Sequence, residues 1–299
     1  MTLPALRLLY YLTEVTTQGR AARLWATLPV SFRAIISGLL IALPAMNVWP
    51  LLLLKLWVPL AAIAEVIFLA FYLWWASGGG PPHATQAIRA NAFRRAALSP
   101  TRMVLGVIAA LFFAVTVHAS IVLLFRFVSF PVATFRRGYD LSFIPTLPFR
   151  WLAVVVSALS AGICEETGFR GYIQRPIEQR HGAPAAILVS SLLFMALHVT
   201  KAWATPGMIP IVFGAGILLG IITWSFGSLV PSMIGHVVMD VGLFAYWWTG
   251  IAGEFVMRPI TVTGLDRPFV IACAVFAASL AVVLLATSRF RSRTTSPDC

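Results

Sequence analysis

Residues 151–170 read WLAVVVSALSAGICEETGFR, an apolar run that ends on two adjacent glutamates and an arginine. A helix needs about 20 apolar residues to cross a bilayer, and the run from 148 to 174 has that length. A charged side chain inside such a helix costs roughly 3 kcal/mol, so each one needs a structural or chemical reason. This stretch therefore predicts a membrane-spanning helix that carries a polar site.

The rest of the chain repeats this apolar pattern. It is 60% hydrophobic and 11% charged, with a mean hydropathy of +0.89, whereas a soluble domain has about 25% charged residues. This composition excludes a soluble globular enzyme, a disordered chain and a disulfide-stapled secreted module. We predict an all-α, polytopic transmembrane helical bundle of about eight spans, near residues 34–54, 56–76, 103–126, 148–174, 183–200, 207–226, 229–248 and 268–288.

Basic residues between the runs predict how the bundle is oriented. The chain has 22 Lys and Arg against 10 Asp and Glu. With the N-terminus inside, the inside segments carry 14 basic residues and the outside segments 8, as the positive-inside rule favours. We therefore expect both termini to be cytoplasmic, and the partner of the basic residues to be the lipid bilayer, not nucleic acid. Arg outnumbers Lys 20 to 2, which indicates a GC-rich bacterium and hence a multi-pass protein of its inner cell membrane.

The chain divides into four predicted segments. Residues 1–33 are expected to form a basic amphipathic segment on the membrane surface, and residues 34–147 the first membrane helices and their linker. Residues 148–250 hold the polar clusters described next. Residues 251–299 are expected to form the last membrane helix and a basic cytoplasmic tail.

Three polar clusters interrupt the apolar runs. They are Cys164-Glu165-Glu166-Thr-Gly-Phe-Arg170, Phe194-Met-Ala-Leu-His198 and His236-Val-Val-Met-Asp240. Each contains two side chains four residues apart, which share one helical face. Glu166 and Arg170 should form an ion pair within their helix. Glu165 points about 100° away from Glu166, so the two carboxylates should have different partners.

The charges of these clusters do not balance. Glu165, Glu166 and Asp240 face a single arginine, Arg170, so the ionised site would carry a net charge of −2. Such a site must take up a proton, charge a histidine or bind a cation. A carboxylate beside two histidines is the arrangement that general acid–base catalysis needs. Hydrolysis fits, because one carboxylate can deprotonate a water and a histidine can stabilise the oxyanion.

In this order the clusters resemble the three motifs of the CPBP family, Glu-Glu-x-x-x-Arg, Phe-x-x-x-His and His-x-x-x-Asn/Asp. This family comprises the CAAX-processing and bacteriocin-immunity intramembrane proteases of the type II CAAX prenyl endopeptidase kind, and is also called the abortive-infection family. The resemblance covers roughly residues 148–248. It implies that residues 148–250 form a catalytic core that hydrolyses peptide bonds of membrane-associated proteins or peptides.

The resemblance also implies roles for individual residues. Glu165 would activate a water together with His198, while His236 and Asp240 would stabilise the oxyanion. The family position that matches Asp240 is often Asn, and an ionised Asp cannot donate a hydrogen bond to an oxyanion. Either burial keeps Asp240 protonated, or Asp240 orients His236 as a supporting carboxylate.

Glu166, Arg170 and Phe194 would support the structure of the site, and no metal or cofactor is expected.

Three other functions use the same residues. A zinc metalloprotease could bind Zn²⁺ through the two histidines and a carboxylate, although the chain lacks His-Glu-x-x-His. A non-proteolytic membrane scaffold or immunity-type binding protein would keep the motifs for structure. A transporter could relay protons through buried Glu and His, but no inverted repeat supports it.

Two further features lie outside the clusters. Glu65 and His118 also occur in apolar runs and could pair across two helices in a structural role. Gly216 and Gly220 form a Gly-x-x-x-Gly pattern, which predicts a helix-packing face.

Overall fold

The computed structural model describes residues 20–94, 97–137, 139–201, 203–256 and 258–289. Within these ranges every regular element is a helix, which confirms the all-α prediction. In chain order the α-helices are α1 (Arg20–Thr27), α2 (Val30–Met46), α3 (Val48–Lys55), α4 (Val58–Ala76), α5 (Gln86–Ala92), α6 (Pro100–Phe127), α7 (Val132–Arg137), α8 (Leu147–Glu166), α9 (Gln174–His181), α10 (Ala183–His198), α11 (Met208–Phe226), α12 (Val230–Gly242), α13 (Ile260–Thr263) and α14 (Arg267–Ser288). Two π-helical segments, Thr167–Ile173 and Leu243–Trp248, continue α8 and α12.

Six helical stretches are long and apolar enough to cross a membrane, so the chain is a multi-pass membrane protein. They are Val30–Lys55, Val58–Ala76, Pro100–Phe127, Leu147–His181, Met208–Phe226 and Arg267–Ser288. The predicted number of about eight is therefore approximate. The two other runs are also helical but are not among these six. α10 has 16 residues and at 1.5 Å per residue extends about 24 Å, less than the roughly 30 Å of a hydrocarbon core. α12 has 13 residues and continues through the π-helical segment to Trp248. These two helices carry His198 and His236.

Ion pairs mark the two ends of the bundle. At one end, Arg94 and Arg175 contact Glu178 at 2.5 and 3.0 Å. At the other end, Arg126 contacts Asp266 at 2.7 Å. Helix α6 runs from the first end to the second. We refer to these as the Glu178 end and the Asp266 end.

The prediction placed successive connections on alternate sides of the membrane, and the positions of two connections agree with it. Residues 77–94 lie at the Glu178 end, and the connection from α6 to α8 lies at the Asp266 end. Which end faces the cytoplasm stays a prediction. Of the predicted N-terminal segment, residues 1–19 lie outside the described residues, as does the tail from residue 290 onward.

Small residues allow the helices around the site to approach closely. Gly162 of α8 lies against α12, where a Cβ atom would be only 2.6 Å from Cγ2 of Val237. Gly216 and Gly220 of α11 face α10, and a Cβ atom on either would lie 3.1 Å from a side-chain carbon there. The predicted helix-packing face is thereby confirmed. The tight contact of α8 with α12 brings the paired glutamates next to the helix that carries His236.

Candidate active site

The paired glutamates occupy the last two positions of α8, deep in the bundle. Glu165 is 4% exposed and Glu166 is fully buried. After Glu166 the helix widens into the π-helical segment, and such segments are rare and often occur at functional sites. Gly168 in this segment lies against α2, since a Cβ atom there would be 2.5 Å from Cβ of Ala42. The widened turn is thus packed firmly against a neighbouring helix.

Glu166 belongs to a buried ion-pair network. Its Oε1 atom lies 2.9 Å from Nη1 of Arg170 and 2.9 Å from Nδ1 of His236. Arg170 also donates from Nη2 to the carbonyl oxygen of Gly216 at 3.2 Å. Its guanidinium lies 4.4 Å from the ring centre of Phe194, within cation–π distance. The network therefore connects α8, α10, α11 and α12.

His198 ends α10 with its ring turned toward Glu165. Its Nδ1 atom is 2.7 Å from the carbonyl oxygen of Phe194. Because a carbonyl oxygen only accepts, Nδ1 carries a proton. A neutral His198 then has a free lone pair on Nε2, which lies 3.9 Å from Oε2 of Glu165. The Phe194 ring packs on the imidazole at 4.4 Å between ring centres and holds its orientation.

His236 is buried among three carboxylates. Its Nδ1 atom donates to Glu166, while Nε2 lies 4.0 Å from Oε2 of Glu165 and 3.6 Å from Oδ2 of Asp240. A separation of 3.6 Å is beyond a hydrogen bond. Glu166 is thus the carboxylate hydrogen-bonded to His236, while Asp240 lies within ion-pair distance of the other ring nitrogen. That Asp240 supports His236 stays a prediction, as does a protonated Asp240.

The four residues predicted to be catalytic line one cavity of about 180 Å³. Glu166 and Arg170 lie behind its wall, whereas Phe194 forms part of it. The structure therefore brings all seven predicted site residues together, in two layers. Several further polar and aromatic side chains complete the wall, among them Trp49, Tyr139, Ser157, Ser160, Lys201, Trp203 and Trp248.

An aromatic wall closes the cavity toward the Asp266 end, and the sequence did not predict it. Trp248 stacks on Tyr139 at 4.9 Å and on Trp203 at 5.1 Å between ring centres. Trp203 donates from Nε1 to the Tyr139 hydroxyl at 3.3 Å. Burial raises the pKa of Tyr139 to about 12, so its hydroxyl stays protonated. Tyr139 and Trp203 lie in connections between helices, where no periodic pattern indicates that they meet.

Glu165 is the glutamate that presents its carboxylate to the cavity. Its Oε2 atom has no hydrogen-bond partner in the part of the chain that the structure describes. The Nε2 atoms of His198 and His236 lie 3.9 and 4.0 Å from it. Two polar atoms about 4 Å apart can both bind one water at about 2.8 Å. The site can therefore hold a water between a carboxylate and a neutral imidazole, as general-base hydrolysis requires.

A zinc ion in this cavity would be held by His198, His236 and a carboxylate. Oε2 of Glu165 lies 3.9 and 4.0 Å from the Nε2 atoms of His198 and His236, whereas the ligands of a tetrahedral zinc, at about 2.0–2.1 Å from it, lie roughly 3.4 Å from one another. Over the described ranges no group of three or more His, Cys, Asp and Glu side chains could hold a metal ion. That the site works without metal stays a prediction.

The predicted pairing of Glu65 with His118 is wrong. His118 accepts a hydrogen bond from Trp247 Nε1 at 3.1 Å, and its Nε2 lies 3.2 Å from the carbonyl oxygen of Met239. Glu65 is fully buried on another side of the bundle, next to Ser160. Among the described residues neither Glu65 oxygen has a hydrogen-bond partner.

Comparison with known families agrees with the motifs. Residues 146–242 match the family described as type II CAAX prenyl endopeptidase Rce1-like. The matched stretch contains all three polar clusters, and the match confirms the family resemblance. No curated protein and no solved structure gave a match.

Proposed function

Since residues 146–242 match the Rce1-like endopeptidase family, we propose that the protein is an intramembrane endopeptidase acting on membrane-associated proteins or peptides. The observation that carries the proposal is the Oε2 atom of Glu165. It faces a cavity without a hydrogen-bond partner among the described residues, and two imidazole Nε2 atoms lie within 4.0 Å of it. The apolar helices around the cavity make the lipid bilayer its surroundings.

Glu165 is the general base in this proposal. It takes a proton from the water as the water oxygen attacks the carbonyl carbon of the scissile peptide bond. The tetrahedral intermediate then collapses, and Glu165 returns the proton to the departing amine nitrogen. His198 accepts the second hydrogen of the water at Nε2, because its own proton is on Nδ1. His198 thereby holds the water in place for attack.

His236 supplies the positive charge that the oxyanion needs. Because Nδ1 donates to Glu166, Nε2 can donate to the oxyanion only when the ring is an imidazolium. The carboxylates of Glu165, Glu166 and Asp240 surround the ring and stabilise that charge. Asp240 lies on the cavity side of His236. In this proposal it contributes either its charge or, when protonated, a hydrogen bond to the oxyanion.

Glu166 and Arg170 act on the reaction only through the position of other groups. Neither lines the cavity. Their ion pair fixes the ring of His236 on one side and that of Phe194 on the other. Glu166 and Arg170 thus contribute by holding the two imidazole rings in the correct position.

The test of the proposal is hydrolysis itself. The purified full chain in a bilayer is incubated with a library of membrane-tethered peptides in water enriched in ¹⁸O. Hydrolysis by an activated water places one ¹⁸O atom in each newly formed carboxyl terminus. The labelled products should be absent with Glu165→Gln and present with Glu254→Gln, a change at an exposed glutamate that does not line the cavity. Cleavage by the Glu165→Gln variant at the wild-type rate would contradict the proposal.

A further inference from the structure

Helix α8 presents two serines to the cavity that holds the general base. Ser157, Ser160 and Glu165 all line it, and the serines lie between Glu165 and the Asp266 end. A Ser or Thr inside a helix often bonds back to the carbonyl one turn earlier, as Thr167 does to the Ile163 oxygen at 2.7 Å. Within the described residues the Ser160 hydroxyl has no partner, and Ser157 bonds to another helix.

A buried side chain from another helix supports each serine from behind. Trp49 of α3 is 3% exposed and donates from Nε1 to Oγ of Ser157 at 2.7 Å. Glu65 of α4 lies next to Ser160 and is fully buried. An ionised carboxylate without a partner is very costly in a membrane interior, which favours a neutral Glu65. Trp49 occupies the Ser157 oxygen from behind, so the hydrogen of Ser157 is free to point into the cavity. Ser160 and Glu65 have no hydrogen-bond partner among the described residues, so in the proposal below Glu65 donates to Ser160 when the Ser160 hydrogen turns toward the substrate.

We propose that Ser157 and Ser160 donate hydrogen bonds to backbone carbonyl groups of the bound substrate, with Trp49 and Glu65 as positioning residues. The proposal rests on the proposed peptidase function. A peptide in apolar surroundings needs partners for its backbone carbonyls.

Helix geometry sets the register of these contacts. Five residues separate Ser160 from Glu165, which is about 7.5 Å along a helix axis. Two residues of an extended peptide cover about 6.6–6.8 Å. Ser160 should therefore bind the carbonyl about two residues from the scissile bond. Ser157 is about 12 Å from Glu165 by the same rise, and should bind three or four residues away.

Backbone esters test this register. In a cleaved peptide, single amides within four residues of the scissile bond are replaced by esters, whose carbonyls are weaker acceptors. Ser160→Ala should lower kcat/KM about 3- to 10-fold, the effect of one neutral hydrogen bond, mainly through KM. With the wild-type protein, an ester about two residues from the scissile bond should lower kcat/KM by a similar factor. With Ser160→Ala the same ester should cause no further loss of kcat/KM. Ser191→Ala, a buried serine outside the cavity, should leave kcat/KM unchanged.

The positioning role of Glu65 has its own test. Glu65→Gln keeps a donor beside Ser160 and should retain the wild-type KM, whereas Glu65→Leu should raise KM as Ser160→Ala does. Combining Glu65→Leu with Ser160→Ala should add nothing. If Glu65→Leu does not fold, the ester experiment still tests whether Ser160 binds a backbone carbonyl of the substrate.

Two results would overturn the inference in different ways. If Ser160→Ala has wild-type kinetics, the serine contacts are rejected. They are also rejected if the loss of kcat/KM in Ser160→Ala adds to the loss caused by every ester. In both cases the proposed function stands, because cleavage still depends on Glu165. Absence of any Glu165-dependent cleavage would reject the proposed function and this inference together.

Discussion

Glu165 and Glu166 are neighbours in one helical turn, yet their surroundings are opposite. Glu166 is fully buried, and its Oε1 atom contacts a cation and an imidazole at 2.9 Å each. Glu165 faces a cavity, and its Oε2 atom has no hydrogen-bond partner among the described residues. The difference is one of access, because Oε2 of Glu166 also lacks a hydrogen-bond partner among the described residues. Only Glu165 lines the cavity and is available there to a substrate or a water.

This contrast divides the site into two layers. The inner layer, Glu166 with Arg170 and Phe194, connects four helices. The outer layer, Glu165 with His198 and Asp240, lines the cavity. His236 belongs to both, since Nδ1 faces Glu166 and Nε2 faces Glu165. Substitutions in the inner layer should therefore reduce folding, and those in the outer layer should reduce turnover alone.

Glu165→Gln should have the largest effect on activity. The amide keeps the shape of the side chain but cannot take a proton from water. Turnover should fall by at least the roughly 10²–10⁴-fold that a general base contributes, with yield and Tm close to those of the wild type. Both are measured in the same detergent as the cleavage rate. If Glu165→Gln unfolds, Glu165 also belongs to the inner layer.

Glu166→Gln and Arg170→Ala should instead lose folded protein. Removing one partner of a buried ion pair typically costs about 3–5 kcal/mol, because the other charge is left without a partner. Thermal unfolding and yield should reveal this loss in both variants. The matched control is Glu254→Gln, since Glu254 is 75% exposed in its pair with Arg136, and exposed pairs contribute about 0.2–1 kcal/mol. Equal stability of Glu165→Gln and Glu166→Gln would remove the distinction between the layers.

Asp240→Asn should have a smaller effect. The amide can donate to an oxyanion, which an ionised carboxylate cannot do, while Glu165 and Glu166 still surround His236. We expect kcat/KM within about tenfold of the wild type, the effect of a single hydrogen bond. Asp240→Leu, which offers neither charge nor donor, serves as the control and should lose more. A loss in Asp240→Asn as large as that in Glu165→Gln would mean that the Asp240 carboxylate itself is essential.

The part of the site that could be predicted from the sequence is its local part. Glu166 and Arg170 are one turn apart, so their pairing follows from helical spacing alone. The orientation of His236 by Glu166 could not be predicted, because it depends on how closely α12 approaches α8 at Gly162.

The fold, like the site, could be predicted from the sequence only where it depends on local pattern. Apolar runs predicted the helices well, since burial in lipid requires every backbone group to be bonded within a helix. Run length predicted the number of spans less well, because the helix in the run at 183–200 has only 16 residues, and the run at 229–248 is not among the six spanning stretches. The aromatic wall around Tyr139 and Trp203 lies in connections, where only tertiary packing brings the side chains together.

Chelation should have the smallest effect of all. In the proposed mechanism the water is activated by Glu165 and the oxyanion by His236, so no step needs an ion. The Glu165 oxygen is also farther from each imidazole nitrogen, at 3.9 and 4.0 Å, than the roughly 3.4 Å between the ligands of a tetrahedral zinc. Prolonged treatment with a strong chelator should therefore leave cleavage unchanged, and elemental analysis should find far less than one zinc per chain. Adding zinc back is the control: a rise in activity that follows zinc content one to one, and that His198→Ala abolishes together with zinc binding, would show that the cavity contracts around a metal. The inner layer would keep its structural role in that case, but Glu165 would then be a ligand or a base beside a metal-bound water, and the outer layer would need a different mechanism.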